Sequence, residues 1–239
     1  MQKSHVLIPA SGSGSRMQAS LPKQYLPLLG QSVVLRTVNL FLASPCISSV
    51  HVVLNPDDDI WATQVDLPAS DRLHVHYQGG ETRSDSVLNG LYAMRELVDA
   101  RDWILVHDAA RPMLTPALLQ RLIDTVQHDD VGGLLAIPLA DTLKRADPAQ
   151  RVASTEPRDA LWQAQTPQMF PHGVLTRALE YTRQLPDYIP TDEAQAMEAL
   201  GLKPLLVQGE LRNLKITYPQ DLWLAEAILR ADQTQGELA

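Results

Sequence analysis

The sequence contains a single cysteine, Cys46, so it cannot form an internal disulfide framework. A chain so poor in cysteine fits a reducing compartment, and we expect a cytoplasmic protein. No apolar run approaches the roughly 18 residues that a membrane-spanning helix needs. The apolar run near the N-terminus is also too short for the core of a signal peptide. These absences predict a protein without membrane or secretory segments.

Basic residues are also scarce, since 20 Lys and Arg stand against 28 Asp and Glu and the net charge is −8. Such a chain lacks the overall basic face of a general nucleic-acid-binding protein, and we expect no nucleic-acid partner. An anionic ligand would have to be held by a few local cations against the repulsion of the whole chain. The position of each Arg and Lys is therefore informative.

Short apolar runs alternate along the chain with longer amphipathic runs. The short runs predict strands at 5–9, 49–55, 73–77, 103–108, 133–139 and 203–209. The longer runs predict helices at 32–44, 82–98, 115–127, 171–185, 191–201 and 218–232. This alternation indicates an α/β fold with a mostly parallel, twisted sheet and helices on both faces. Ligands of such folds bind beyond the carboxyl ends of the strands.

The segment at about 139–160 does not fit this alternation, because it is polar, rich in Arg and without a long apolar face. We expect it to form a protruding, two-stranded β-arm. No internal repeat, low-complexity tract or linker divides the sequence, so residues 1–239 are predicted to form a single domain.

The first predicted strand leads into a glycine loop that reads PASGSGSRM. Gly12 and Gly14 let the backbone approach a ligand closely, and consecutive amides in such a loop bind phosphate oxygens. The loop is not a P-loop, which needs Gly-Lys-Ser/Thr, and Met17 stands where a dinucleotide fingerprint needs its third glycine. Arg16 and Lys23 could bind a polyphosphate here, although a surface loop with unrelated basic residues would have the same composition.

Further motifs follow the glycine loop in a fixed order. They are LPKQY (21–25), GGETRSDSV (79–87), VHDAARP (106–112), DTLKR (141–145), QTPQMF (165–170), TDEA (191–194) and NLKIT (213–217). Each motif alone is weak, but the ordered set resembles the sugar-phosphate nucleotidyltransferases, and most closely the 2-C-methyl-D-erythritol 4-phosphate cytidylyltransferase family. The resemblance extends from about residue 5 to about residue 229.

The resemblance implies a Rossmann-like nucleotidyltransferase fold and an enzyme of non-mevalonate isoprenoid precursor biosynthesis. Such an enzyme transfers a cytidylyl group from CTP to 2-C-methyl-D-erythritol 4-phosphate, with Mg²⁺ as its cofactor. It also implies a homodimer, in which the arm of one subunit completes the neighbouring site. The expected partners are thus CTP, a sugar-alcohol phosphate and a second copy of the chain.

The resemblance also implies roles for individual residues. The implied catalytic residues are Arg16, Lys23, Arg158 and Lys215. The implied nucleotide-binding residues are Ala10, Ser11, Gly12, Gly14, Arg16, Lys23, Gly80, Ser86 and Asp108. The implied contacts to the sugar-alcohol phosphate are Asp108, Arg111, Thr142, Arg158, Thr166, Thr191 and Lys215.

For some of these residues, the sequence alone allows a different interpretation of the role. Asp108 ends a buried strand, where a carboxylate can hold Mg²⁺ or a ribose hydroxyl. Arg111 could pair with Asp108 or reach a substrate. Strand alternation points His107 away from Asp108 and predicts a packed histidine rather than a general base. Thr191 could act only as a helix cap.

Two other functions remain open. A cytidylyltransferase of the same fold could act on ribitol 5-phosphate, although Lys144, Arg145 and the full DAARP motif favour methylerythritol phosphate. A non-catalytic nucleotide-binding domain is the other alternative. The loop also departs from the family, many of whose members have alanine where this chain has Ser11. That departure bears on the affinity for the nucleotide rather than on the chemistry.

Overall fold

The computed structural model of the protein describes residues 2–12, 17, 21–64 and 69–236, and its elements alternate as the sequence predicts. The strands are β1 Ser4–Pro9, β2 Pro27–Leu28, β3 Gln31–Ser32, β4 Ser49–Val53, β5 Leu73–His76, β6 Trp103–Val106, β7 Gly133–Pro138, β8 Leu143–Ala146, β9 Val152–Glu156, β10 Trp162–Pro171 and β11 Leu205–Gln208. The helices are α1 Val33–Leu42, α2 Trp61–Gln64, α3 Arg83–Met94, α4 Pro116–Val126, α5 His172–Arg183, α6 Glu193–Ala199 and α7 Pro219–Gly236, with a 3-10 turn at Lys23–Tyr25. None of the helices in these ranges is long and apolar enough to cross a membrane.

The main sheet has seven strands in the order β11-β7-β10-β6-β1-β4-β5. β1 pairs in parallel with β4 and β6, β4 pairs in parallel with β5, and β7 pairs in parallel with β11. β10 runs antiparallel between β6 and β7. The predicted α/β fold with a mostly parallel sheet is confirmed. The parallel strands bring the loops after β1, β5 and β6 to one edge of the sheet, where ligands of such folds bind.

Polar side chains start the helices that follow these loops. Ser32, Thr82 and Thr115 accept hydrogen bonds from backbone amides in the first turns of α1, α3 and α4. Thr82 and Asp85 form a reciprocal capping box, in which each side chain binds the backbone of the other. The cap fixes the position at which the chain turns from the sheet edge into α3.

The start of α6 differs from the prediction. Asp192, rather than Thr191, is the N-cap, and its Oδ1 accepts a 2.9 Å hydrogen bond from the Gln195 amide. The Thr191 amide instead donates to Gln195 Oε1 at 2.7 Å. A carboxylate is the stronger acceptor at the positive end of a helix, so the aspartate takes the cap and the helix begins one residue later.

The core lies on both faces of the sheet, because successive residues of a strand face opposite sides. On β1, Val6 and Ile8 pack with α1 and α4, whereas Leu7 packs with α3 and α5. A third cluster joins Ile216 and α7 to Leu28, beside the loop that follows β1. β1 is therefore packed on both sides, which holds its carboxyl end in a fixed position.

A row of histidines lies across β1, β4 and β5. Ser49 Oγ lies 2.7 Å from both His5 Nδ1 and His51 Nε2, and His51 Nδ1 lies 3.0 Å from His76 Nε2. The ring of His51 also stacks on that of His74, with the centroids 4.7 Å apart. Burial, together with repulsion from the neighbouring histidines, lowers the pKa of His51 to about 3. His51 is therefore neutral at neutral pH.

The segment at about 139–160 forms the predicted two-stranded arm. β8 pairs antiparallel with β9 in a small sheet of its own, and nearly all of its side chains are exposed. β10 follows directly and was not predicted, because its first half is polar and it carries a proline in its middle. The arm thus joins the main sheet through an antiparallel strand at its centre.

Candidate active site

A pocket with a volume of about 330 Å³ opens at the carboxyl edge of the sheet. The loops after β1 and β6, the start of α3 and the segment before α7 surround it. Many of the residues predicted from the sequence line it, namely Ala10, Ser11, Gly12, Lys23, Gly80, Asp108 and Lys215. The structure therefore brings together residues that are up to about 200 positions apart in the sequence.

Asp108 holds the basic groups of the pocket wall together. Its Oδ2 lies 2.8 Å from Lys215 Nζ and 3.5 Å from Arg111 Nε, and its Oδ1 accepts a 3.0 Å hydrogen bond from Arg83 Nε. Burial alone would raise the pKa of Asp108, but the charges of Arg83, Lys215 and Arg111 outweigh burial and hold it well below its usual range. Asp108 is therefore ionised at physiological pH.

Arg111 pairs with Asp108, and its predicted contact with the substrate stays a prediction. Its side chain is 10% exposed, pairs with Asp108 and donates a 2.7 Å hydrogen bond from Nη1 to the Asn213 carbonyl oxygen. Burial lowers the pKa of Arg111, and the charge of Asp108 opposes this effect. Arg111 packs behind the pocket wall, where it connects the DAARP and NLKIT motifs.

Glu193 holds Arg83 from the side opposite Asp108. Its carboxylate accepts hydrogen bonds of 2.6 and 3.2 Å from Nη1 and Nη2 of Arg83. Burial raises the pKa of Glu193 although the charge of Arg83 opposes this, whereas the pKa of Arg83 is raised because Glu193 and Asp108 outweigh burial. The two-pronged geometry favours the charged pair. The result is a continuous chain of charges, Glu193–Arg83–Asp108–Lys215.

His107 and Thr166 support Asp108 from the core. His107 Nε2 lies 3.0 Å from the Arg111 carbonyl oxygen, so it carries the proton, and Nδ1 accepts from the Thr166 hydroxyl at 3.1 Å. The Thr166 oxygen in turn accepts a 3.0 Å hydrogen bond from the Asp108 amide. Burial lowers the pKa of His107 to about 4. His107 is a packed histidine, as predicted, and the phosphate contact of the buried Thr166 stays a prediction.

Lys23 reaches the same pocket from the end of the glycine loop. Its Nζ donates a 3.1 Å hydrogen bond to the Ile216 carbonyl oxygen, next to Lys215. The buried Gln24 donates from Nε2 to the carbonyl oxygens of Ala10 and Gly12, at 2.9 and 3.0 Å. This amide holds the beginning of the loop against the 3-10 turn.

Two of the loop residues predicted to bind the nucleotide, Gly14 and Arg16, lie outside the described residues. Their roles stay predictions.

Ser86, on the first turn of α3, lies behind the turn at Gly80. Its Oγ donates a 2.9 Å hydrogen bond to the Thr82 carbonyl oxygen, accepts a 3.0 Å bond from the Gly80 amide and lies 2.7 Å from Ser11 Oγ. Ser86 is fully buried. It thus connects the turn after β5 to the loop after β1.

Three exposed residues that are predicted to contact the sugar-alcohol phosphate do not line this pocket. Thr142 and Arg158 are exposed on the arm, and Thr191 is exposed before α6. Their contacts with substrate stay predictions, which need either a second subunit or a movement of the chain.

Asp108 is also the predicted ligand of Mg²⁺. Among the described residues, no group of three or more His, Cys, Asp or Glu side chains could hold a metal ion. In phosphoryl-transfer sites, however, Mg²⁺ is bound by one or two carboxylates and completes its shell with phosphate oxygens and water. One ionised carboxylate in the pocket wall fits that donor set.

Sequence reasoning missed Arg83 and Glu193. Arg83 falls at the start of the helix predicted at 82–98, and Glu193 falls in the first turn of the helix predicted at 191–201, where an acid complements the helix dipole. Their pairing spans 110 residues and forms only when the fold brings the starts of α3 and α6 together, which no local pattern reveals. One local signal is a charged residue at the first position of a helix, since Arg83 begins α3 and Glu193 begins α6.

Comparison with known proteins gives a family match over most of the chain. Residues 4–231 match the model of the family described as IspD, 2-C-methyl-D-erythritol 4-phosphate cytidylyltransferase. The protein of that name from Dechloromonas aromatica is 53% identical over 231 residues, which are 97% of this chain and 99% of the relative. The one from Nitrosospira multiformis is 51% identical over 232 residues, 96% of this chain and 99% of the relative.

Solved structures show the same likeness. A crystal structure of a 4-diphosphocytidyl-2C-methyl-D-erythritol synthase superposes with a TM-score of 0.82 at 39% identity, and the match covers 96% of this chain and 99% of that one. The 2-C-methyl-D-erythritol 4-phosphate cytidylyltransferase of Francisella tularensis gives a TM-score of 0.81 at 33% identity, over 94% and 98% of the two chains.

Proposed function

The chain belongs to the 2-C-methyl-D-erythritol 4-phosphate cytidylyltransferase family, and we propose that the pocket at the carboxyl edge of its sheet is where it performs the family's reaction. The enzyme transfers a cytidylyl group from CTP to 2-C-methyl-D-erythritol 4-phosphate. The products are 4-diphosphocytidyl-2-C-methyl-D-erythritol and pyrophosphate, in non-mevalonate isoprenoid precursor biosynthesis. The observation that supports this site is the chain of paired charges that runs from the buried Glu193 through Arg83 and Asp108 to Lys215.

The nucleotide lies between the two loops that border the pocket. The glycine loop, with Ala10, Ser11 and Gly12 at its start, approaches the triphosphate, and the turn at Gly80 faces the base. Lys23 supports this arrangement, because its ammonium group lines the pocket at the end of the same loop. Backbone amides and a nearby cation are the groups that bind phosphates in other nucleotide sites.

The pocket wall carries the charge that two anionic substrates need. Around Asp108, the described residues place Arg83, Arg111 and Lys215 against two carboxylates, Asp108 and Glu193, so the cluster keeps one net positive charge. Lys23 adds another. This local excess offsets the net charge of −8 of the whole chain. In an acidic chain, an anionic ligand can bind only where a few local cations outweigh the overall negative charge, and this pocket has such cations.

The reaction is an in-line displacement at phosphorus. An oxygen of the methylerythritol phosphate forms a bond to the α-phosphorus of CTP. The bond from that phosphorus to the bridging oxygen breaks, and its electron pair leaves with pyrophosphate. The attacking phosphomonoester is mostly dianionic near neutral pH, so no side chain has to remove a proton. The burial of His107 agrees with this, since the imidazole has no access to the pocket.

Catalysis therefore consists of positioning and of charge stabilisation. Arg16 and Lys23 neutralise the charge that develops on the α-phosphate and on the leaving pyrophosphate. Lys215 and Arg158 align the attacking phosphate. Asp108 orients Lys215 through their 2.8 Å contact. Asp108 would also hold Mg²⁺ together with phosphate oxygens, and the ion would supply further neutralisation of the triphosphate.

The second subunit completes this proposal. Thr142 and Arg158 are exposed on the arm of the same chain, so we assign their substrate contacts to a homodimer in which arms are exchanged. Sedimentation at assay concentrations checks this assignment, and a monomer that is fully active would contradict it. We also propose that residues 1–239 act as one domain and that the enzyme is cytoplasmic, in keeping with its single cysteine.

The experiment that tests the function is pyrophosphate release from CTP and Mg²⁺. Methylerythritol phosphate and ribitol 5-phosphate are offered in parallel, with UTP and ATP as nucleotide controls and EDTA as the metal control. We expect turnover with CTP and methylerythritol phosphate, and its loss on chelation. Turnover with ribitol 5-phosphate alone would overturn the substrate, and no turnover with either would overturn the enzymatic function.

A further inference from the structure

In this structure the hydroxyl of Ser86 uses its full hydrogen-bonding capacity within the protein, and its predicted contact with the nucleotide stays a prediction. Its single proton goes to the Thr82 carbonyl oxygen at 2.9 Å, because a carbonyl oxygen can only accept. Its oxygen accepts the Gly80 amide at 3.0 Å. In the 2.7 Å contact with Ser11 the proton must therefore come from Ser11 Oγ, which fills the second lone pair of Ser86. A direct bond from Ser86 to a nucleotide would require one of these three bonds to break.

Ser11 also touches the backbone of the turn after β5. A Cβ atom added to Gly79 would overlap the Cβ of Ser11 and would come within 2.8 Å of the Leu54 carbonyl oxygen. The Gly79 amide is itself bonded to that carbonyl at 2.7 Å. The glycine loop and the turn are thus in direct contact, and the serine hydroxyl bonds them together at that point.

We propose that Ser11 is a positioning residue that, through Ser86, sets the separation between the glycine loop and the turn at Gly80. A nucleotide that contacts both loops at once depends on that separation, whereas a ligand of one loop does not. The proposal rests on the proposed function, in which the triphosphate lies on the glycine loop and the base faces the turn. Alanine at this position could not form the bond.

The test is Ser11→Ala, with Ser84→Ala as the matched control. The Ser84 hydroxyl is also paired with a neighbouring hydroxyl at the start of α3, at 2.9 Å from Thr82 Oγ1, but it does not join the two loops. We expect Ser11→Ala to raise the KM for CTP about three- to tenfold, the effect of one hydrogen bond. The kcat and the KM for methylerythritol phosphate should stay at the wild-type values.

Product inhibition distinguishes positioning from general damage to the loop. In the proposed function pyrophosphate lies on the glycine loop and does not reach the turn at Gly80, so its inhibition constant should be the same in Ser11→Ala and in the wild type. A distorted loop would weaken CTP and pyrophosphate together, and that result would overturn the proposal. A KM for CTP within about twofold of the wild-type value, below the effect of one hydrogen bond, would also overturn it.

A double-mutant cycle tests whether Ser11 acts through Ser86. Once Ser86→Ala has removed the acceptor, the further change of Ser11 should have no additional effect on the KM for CTP. Additive effects would contradict the proposal. If Ser86→Ala does not fold, the comparison of CTP with pyrophosphate in Ser11→Ala decides alone. Wild-type turnover in the same assay reports on the proposed function, so its absence would reject that function rather than the role of Ser11.

Discussion

Replacing Glu193 by glutamine would test whether the chain of paired charges stabilises the pocket. Glu193 is 1% exposed and binds Arg83, which in turn binds Asp108. Glutamine preserves the volume and one carbonyl oxygen, but it removes the negative charge and places an NH₂ group against the N–H groups of Arg83. Arg83 then keeps Asp108 as its only counter-charge among the described residues.

The expected loss follows from the burial of the two partners. Removing one partner of a buried ion pair costs about 3–5 kcal/mol of unfolding free energy. The lower end applies here, because Arg83 is 27% exposed and retains its bond to Asp108. We therefore expect a loss of about 3 kcal/mol, which for a chain of this size lowers the Tm by roughly 6–12 °C. The kcat/KM should fall as well, since Arg83 and Lys215 share the same carboxylate.

Urea denaturation followed by tryptophan fluorescence measures the change, with Glu198→Gln as the control. Glu198 is an exposed glutamate on the same helix, and its replacement should alter the free energy by no more than about 0.5 kcal/mol. A loss below about 1 kcal/mol in Glu193→Gln would refute the reasoning, because it would mean that the buried pair contributes little net stability.

Three further substitutions test the pocket and the sheet. Lys23→Ala should lower kcat on the order of 10²-fold, because it removes a cation preorganised against the triphosphate; near-normal turnover, with the exposed Lys203→Ala as control, would contradict that role. Gly79→Ala should weaken CTP binding measured by calorimetry, since the new methyl group overlaps Ser11 and crowds the Leu54 carbonyl oxygen, and an unchanged Kd would count against this contact. His51→Gln should reduce the loss of stability on acidification. The pKa of His51 is about 3 in the fold and 6.5 in the unfolded chain, so between these values the unfolded state binds a proton that the folded state does not. The free energy of unfolding of the wild type therefore falls as the pH falls through this window. Urea denaturation at about pH 7 and pH 5 measures how steeply the free energy of unfolding depends on pH, and this dependence should stay at the wild-type value for the control His128→Gln, which changes an exposed histidine. An equally steep dependence in His51→Gln would show that His51 does not contribute to it.

Much of the fold was predictable because local chemistry and global packing agree. Thr82 and Thr115 are the first residues of the helices predicted at 82–98 and 115–127, and in the structure they cap α3 and α4. The apolar runs of β1, β4 and β6 are buried on both sides, so each reads as a strand without any tertiary information. The pocket could be placed at the carboxyl edge for the same reason, since the strand order brings the loops after β1 and β6 side by side.

What could not be predicted depends on contacts between distant parts of the chain. β10 was missed because Gln163, Gln165 and Pro167 disguise a central strand, and it is placed there only by its pairing with β6 and β7. The pair of Arg83 and Glu193 was missed because each charge looks solvated until the fold brings the starts of α3 and α6 together. The bond from Ser11 to Ser86 likewise joins loops that are 75 residues apart.

The position of β10 also decides in which order the sheet can assemble as the chain leaves the ribosome. β5, β4, β1 and β6 are complete by residue 106, so this half of the sheet can pair with itself and with α1 and α3 early in synthesis. β7 emerges next but has only β10 and β11 as neighbours, so it has no strand to join until residues 162–171 appear. In a nascent chain halted between β7 and β10, β6 would be an open, apolar edge, the kind of surface at which unfinished sheets aggregate and chaperones bind. Synthesis of β10 closes that edge and, through Thr166, gives Asp108 its support from the core.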